Sequence, residues 1–243
     1  MSASTKGILL DIEGTTTPIA FVHDVLFSYA RTHVAEYLAQ HADETTADVA
    51  QLRAEHEHGE ISGENPPPLN DTSESIVTYV NWLIDRDRKS TGLKSLQGKI
   101  WREGYRNGSL KSEVFSDVRP AFERWREANV RISIFSSGSA LAQQLLFAHT
   151  EVGDLTTFIS DYFDTNVGRK ADPESYRSIA NVIGLQPSEM LFISDVVTEL
   201  EAANTPVMKT LLSIRPGNEP QPGAAGFPII HTFDEVISTR PGS

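Results

Sequence analysis

The sequence predicts an α/β protein in which a doubly wound parallel sheet carries an inserted helical cap. Short apolar runs at 7–10, 130–135, 190–194 and 207–214 read as buried strands, each stopping at residues suited to chemistry or to a turn. Helix-forming stretches lie between them. Residues 17–115 interrupt this alternation, holding helical patterns but no buried strand. Strands alternating with helices imply parallel pairing, with sites at the carboxyl ends of the strands.

Each element has its own local reason. Residues 7–10, Gly-Ile-Leu-Leu, are closed by Asp11, and Gly14 lets the chain turn. In 130–135, Ile132 and Ile134 alternate with Arg131 and Ser133 before Ser136-Ser137-Gly138-Ser139 stops the strand, and strong helix formers fill 140–149. Asp172-Pro173 is an N-cap with proline at the first helical position, and Gly184 follows the apolar Val182-Ile183 that closes this helix. The run 190–194 ends at Asp195 and leads into helix-forming 199–203. In the interruption, 22–38 and 74–86 read as helices, 57–70 as a charged Gly/Pro loop, and the Pro- and Gly-rich 216–226 is loop as well. The expected division is a core of 1–16 and 116–243 with a cap of 17–115.

Bulk properties narrow the chemistry. The 243 residues contain no cysteine, which removes disulfides, thiolate metal sites and a cysteine nucleophile and fits a cytoplasmic protein. The net charge of −12 argues against nucleic acid as partner and means that an anionic substrate needs local cations. No apolar run nears the roughly 20 residues of a membrane span, and the run at 8–10 is too short for a signal peptide.

Asp11-Ile12-Glu13 places two acids over one centre with Ile12 turned into the fold. The first can attack phosphorus while the second protonates the leaving oxygen and then activates water. Taken alone, the segment reads equally as a strand-end turn. Ser136 and Ser137 offer a hydroxyl and backbone N–H groups to a phosphoryl oxygen, with a Ser-Gly turn as the plain alternative. Lys170 can bring a point charge, or be a solvated lysine. Asp195 ends a buried strand and needs a partner, which a hard cation shared with Asp11 supplies. Glu199, four residues on, is either a second acid of this site or a helix-surface residue. His56 and His58 show no spacing tied to other metal ligands.

In order, Asp11-x-Glu13-Gly14-Thr15, Ser136, Lys170 and Asp195 resemble the four motifs of the haloacid dehalogenase superfamily, with Glu13 where its phosphatases usually carry aspartate. The stretch 85–101, Phe135-Ser136-Ser137-Gly138-Ser139 and Arg215-Pro216-Gly217-Asn218 are similar to the enolase-phosphatases of methionine salvage, also called acireductone synthases. The resemblance implies a Mg²⁺-dependent, bifunctional enzyme. Its substrate would be the small phosphorylated diketone 5-(methylthio)-2,3-dioxopentyl phosphate, first enolised and then dephosphorylated. It further implies Asp11 as nucleophile and Asp11, Asp195 and the main-chain carbonyl of Glu13 as Mg²⁺ ligands. Ser136, Ser137 and Lys170 would hold phosphate, and the protein would be a monomer. Glu13 is the candidate enolisation base, and Lys89, Lys94 and Gln97 are possible cap contacts. The readings weighed against it are a haloacid dehalogenase, a sugar phosphomutase, and a catalytically silent binding module on the same fold.

Overall fold

The computed structural model describes residues 5–58, 65–88 and 90–236. They fall into two compact units, one within Met1–Val22 and Lys111–Ser243, the other within His23–Leu110.

The first unit holds a six-stranded sheet in which all pairings are parallel. Its strands are β1 (Gly7–Leu10), β2 (Arg131–Phe135), β3 (Ile159–Phe163), β4 (Met190–Ser194), β5 (Lys209–Ser213) and β6 (Ile229–Ile230), in the order β3-β2-β1-β4-β5-β6. The chain thus builds outward from β1 on one side and then returns to the other. Where the order reverses, at the carboxyl end of β1, a parallel sheet opens a crevice. Asp11 is the next residue.

Successive strand residues point to opposite faces. Leu9 and Phe192 join a cluster with Tyr176, Ile179 and Leu200. Ile8 and Leu10, facing the other way, are just as fully buried, so both faces of β1 are covered. The flanking helices of this unit are α5 (Val118–Glu127), α6 (Ala140–Ala148), α7 (Pro173–Ile183) and α8 (Val197–Asn204), numbered after α1 to α4 of the second unit. Local signals act as expected in α7. The Asp172 side chain accepts the Glu174 N–H, Pro173 opens the first turn, and Gly184 closes the helix in the left-handed region at φ 79°.

Two strands were not legible. β3, Ile-Ser-Asp-Tyr-Phe, is an edge strand whose Asp161 is held by Arg131 and Ser133 of its neighbour. β6 is two residues long, too short for a pattern.

A π-helical stretch, Phe21–Phe27, leads into the second unit and its α1 (Ser28–Gln40), followed by α2 (Ala42–Glu57), α3 (Ser73–Ile84) and α4 (Thr91–Arg106). The described residues of this unit contain no strand. Trp101 Nε1 donates to Leu26 O at 2.8 Å, joining α4 to the π-helical stretch. Lys89 and residues 59–64 of the expected loop lie outside the described residues, while Gln97 is buried in α4 and Lys94 half-buried. His56 Nε2 donates to Pro67 O and His58 Nδ1 to Ala54 O, two separate carbonyls. No helix among the described residues is long and apolar enough to cross a membrane.

Candidate active site

β1 delivers Asp11 into the crevice, where its side chain is buried. Oδ1 accepts the Ile12 N–H at 2.7 Å and lies 2.7 Å from Lys170 Nζ. Oδ2 lies 3.2 Å from Ser194 Oγ, the last residue of β4. Ile12 is buried beneath the loop, as its alternation with the two acids predicts. Gly14 adopts φ +65°, and a Cβ there would stand 2.4 Å from Asp195 Oδ2, so this glycine makes room for the second aspartate.

Lys170 sits in the turn before α7, its backbone carbonyl held at 2.7 Å by the buried Tyr176 hydroxyl. Its ammonium bridges Asp11 and Glu199, each at 2.7 Å. Burial works against the charge, but the carboxylates of Asp11 and Glu199 and the hydrogen bonds to both outweigh it and hold Lys170 above the usual lysine range. Glu199 therefore belongs to the site rather than to the helix surface. Its side chain is only 13% exposed, and burial first, then repulsion from Asp11, pushes it up to about 7. Asp195 is likewise pushed up to about 7, by burial and then by the charge of Asp11.

Ser136 follows β2, whose register pairs Ile134 with Leu10, so it emerges beside the carboxyl end of β1. Its own N–H is engaged by Phe163 O at 3.1 Å, and its hydroxyl accepts the Gly138 N–H at 3.3 Å. The hydroxyl proton is what Ser136 can offer a ligand. Ser137, on the same loop, and Glu13, bridged to Thr17 after β1, are half-buried. The geometry thus joins Asp11 and Lys170 directly, sets Asp195 within electrostatic reach of both, and leaves the serines and Glu13 on the loops around them.

Sequence reasoning passed over Ser194 and gave Arg215 and Asn218, after β5, no role beyond a family resemblance. Asn218 Nδ2 donates to Gly14 O at 2.9 Å and Arg215 Nε to Thr15 O at 3.2 Å, pinning the loop that carries the acids. Arg215 is itself buried, paired with Asp117 at 2.9 Å and stacked between Phe115 and Phe233. A buried arginine following a strand was the available signal.

Three carboxylates, Asp11, Asp195 and Glu199, face one ammonium here, so two negative charges stand unbalanced when all are ionised. That excess matches a divalent cation. Among the described residues no group of three or more His, Cys, Asp or Glu side chains is arranged to hold a metal. A set of carboxylate oxygens suits a hard divalent ion that completes its shell with water and substrate.

A family model described as haloacid dehalogenase-like hydrolase matches residues 5–205. An "Enolase-phosphatase E1" of Synechococcus elongatus is 51% identical over 238 residues, 97% of this chain and 99% of that protein. The chain belongs to the enolase-phosphatase family. Among solved structures, the UTR4 protein of Saccharomyces cerevisiae matches with a TM-score of 0.79 at 32% identity, over 96% of this chain and all of that one. An Arabidopsis thaliana relative, 43% identical over 95% of this chain, is a "probable bifunctional methylthioribulose-1-phosphate dehydratase/enolase-phosphatase E1", of which this chain covers 48%. The dehalogenase, phosphomutase and silent-module readings give way to a phosphatase of this family.

Proposed function

We propose that this enzyme converts 5-(methylthio)-2,3-dioxopentyl phosphate, through its enol phosphate, to 1,2-dihydroxy-5-(methylthio)pent-1-en-3-one and phosphate, a step of methionine salvage, by way of an aspartyl-phosphate on Asp11. The observation that carries the mechanism is the pinned Asp11 carboxylate, buried at the switch point of the sheet with Lys170 on one oxygen and Ser194 on the other. The substrate follows from family membership. It is supported by the Arabidopsis relative, whose name couples the same activity to dehydration of a methylthio sugar phosphate.

Asp11 and Asp195, with the main-chain carbonyl of Glu13, would hold Mg²⁺. When bound, the ion supplies positive charge that lets a carboxylate approach an anionic phosphoryl group. Lys170 adds a fixed charge on the same side, and the Ser136 hydroxyl with Ser137 orients the phosphoryl oxygens. Asp11 attacks phosphorus, the bond to the leaving oxygen breaks, and Glu13 protonates that oxygen. Glu13 then activates the water that releases phosphate from Asp11. In the preceding enolisation Glu13 is the base that removes the proton next to the carbonyl. Residues 17–115 act as the cap that selects the substrate, in a cytoplasmic monomer.

Asp11→Asn is expected to abolish phosphate release from the diketone phosphate while Mg²⁺ still raises the melting temperature. Substantial turnover by that variant would sink the covalent route. A preference for sugar phosphates in a substrate panel, with no enol absorbance, would sink the substrate.

A further inference from the structure

Ser194 is fully buried, and its hydroxyl is the hinge of a closed ring. Ser194 Oγ lies 3.2 Å from Asp11 Oδ2 and 2.9 Å from Glu199 Oε2, while Lys170 Nζ lies 2.7 Å from Asp11 Oδ1 and 2.7 Å from the same Glu199 oxygen. The hydroxyl also accepts the Val196 N–H at 3.1 Å, so its position is set by the turn into α8. Donors on both oxygens, the Ile12 N–H and Lys170 on Oδ1 and Ser194 on Oδ2, therefore define the plane of the Asp11 carboxylate.

The two oxygens are held unequally. Oδ1 accepts both the Ile12 N–H and the Lys170 ammonium at 2.7 Å. Oδ2 has the longer contact with Ser194, whose single proton is shared with Glu199. The bond to a carboxylate turns in a broad, two-fold well and has no sharp preference of its own. Without a donor on Oδ2, Asp11 is anchored at one corner and free to roll about it. An attacking atom must instead meet phosphorus in line and at close range, and small misplacements are costly.

We propose that Ser194 is a positioning residue that fixes the roll of the Asp11 carboxylate, with Glu199 as the second acceptor that keeps the hydroxyl in place. The proposal rests on Asp11 being the nucleophile. Ser194 itself neither attacks nor transfers a proton to substrate. Its effect lies in the chemical step, so turnover depends on it and substrate binding does not.

The test compares Ser194→Ala, which removes the donor, with Ser194→Cys, which is slightly larger and donates only weakly. For the full chain with Mg²⁺, kcat and KM are measured on the diketone phosphate. The aspartyl-phosphate is trapped with hydroxylamine after acid quench, and melting temperatures are recorded. Both variants should lose roughly 10- to 100-fold in kcat and in the rate of acyl-phosphate formation, the scale expected for a misplaced reacting group. KM should stay at its wild-type value, while the melting temperature of Ser194→Ala should fall, because the buried Val196 N–H loses its acceptor. A wild-type kcat in Ser194→Cys would mean that the side chain only fills space, and an unchanged kcat in Ser194→Ala would mean that it does nothing for Asp11; either overturns the proposal. Should Ser194→Ala fail to fold, Ser194→Cys alone decides. Failure to trap an acyl-phosphate in the wild-type enzyme would instead overturn the reading of Asp11 itself, and the two failures are thereby told apart.

Discussion

Gly14 shows how tightly single residues are specified around Asp11. Its backbone sits at φ +65°, where a residue with a Cβ costs about 1–2 kcal/mol, and that Cβ would collide with Asp195 Oδ2 and Cγ. Gly14→Ala should therefore lower stability by about that amount or more and push Asp195 aside. The Mg²⁺ concentration needed for half-maximal phosphate release should rise. An unchanged Mg²⁺ requirement would show that Asp195 does not hold the ion. At this scale the sequence exposed Asp11 and Asp195 because each follows an apolar run, where an acid needs a reason, whereas Lys170, in a polar turn, stood out only by its order with them. Glu199 was ambiguous, since a glutamate on a short helix is usually solvated, and only the fold turns its face toward Lys170. Ser194 carried no signal, because a serine ending a strand is common and its partners lie 183 residues away and 5 residues on.

Elements that depend on local chemistry were legible, and those that depend on distant partners were not. β1, β2, β4 and β5 announce themselves by apolar runs, whereas β3 tolerates Asp161 because Arg131 and Ser133 neutralise and bond it. The start of α4 makes the same point within the helical unit. Ser90 caps it through the Leu93 N–H, and Glu55 of α2 accepts from Ser90 Oγ at 2.5 Å and from the Thr91 and Gly92 N–H groups at 3.0 and 3.2 Å. A buried carboxylate on a helix amino terminus satisfies orphan donors and meets the favourable end of the dipole. Glu55→Ala should destabilise by about 1.5–3 kcal/mol, the range for hydrogen bonds to a charged group. Glu55→Gln, which keeps one acceptor, should lose less. Urea unfolding checks both, with the midpoint falling at constant slope, and equal losses in the two variants would argue against a charge effect.

Taken as a whole molecule, the protein carries a net charge of −12 and concentrates part of that excess where an anionic substrate must bind. The alternation of strands and helices made the parallel sheet legible from sequence; the clustering of three acids did not follow from any one segment. Burial and mutual repulsion raise Asp195 and Glu199 from the ordinary carboxylate range to about 7, so the folded, metal-stripped protein binds protons more tightly than the unfolded chain does. Stability from this source is complete below about pH 4, where both states are protonated. It is lost as pH rises toward about 7 and the folded site is forced to ionise. A divalent ion binds the deprotonated acids and reverses the loss. In the presence of a chelator, the melting temperature of the wild-type protein should therefore fall relative to Asp195→Asn as pH is raised through this window. Added Mg²⁺ should raise the wild-type value far more at pH above 7 than at pH below 5, because protons compete with the ion for the same oxygens. A gap between the two proteins that stays constant with pH, together with equal Mg²⁺ stabilisation at both ends, would mean that the acids are not strained against one another and that the charge excess is not what recruits the ion.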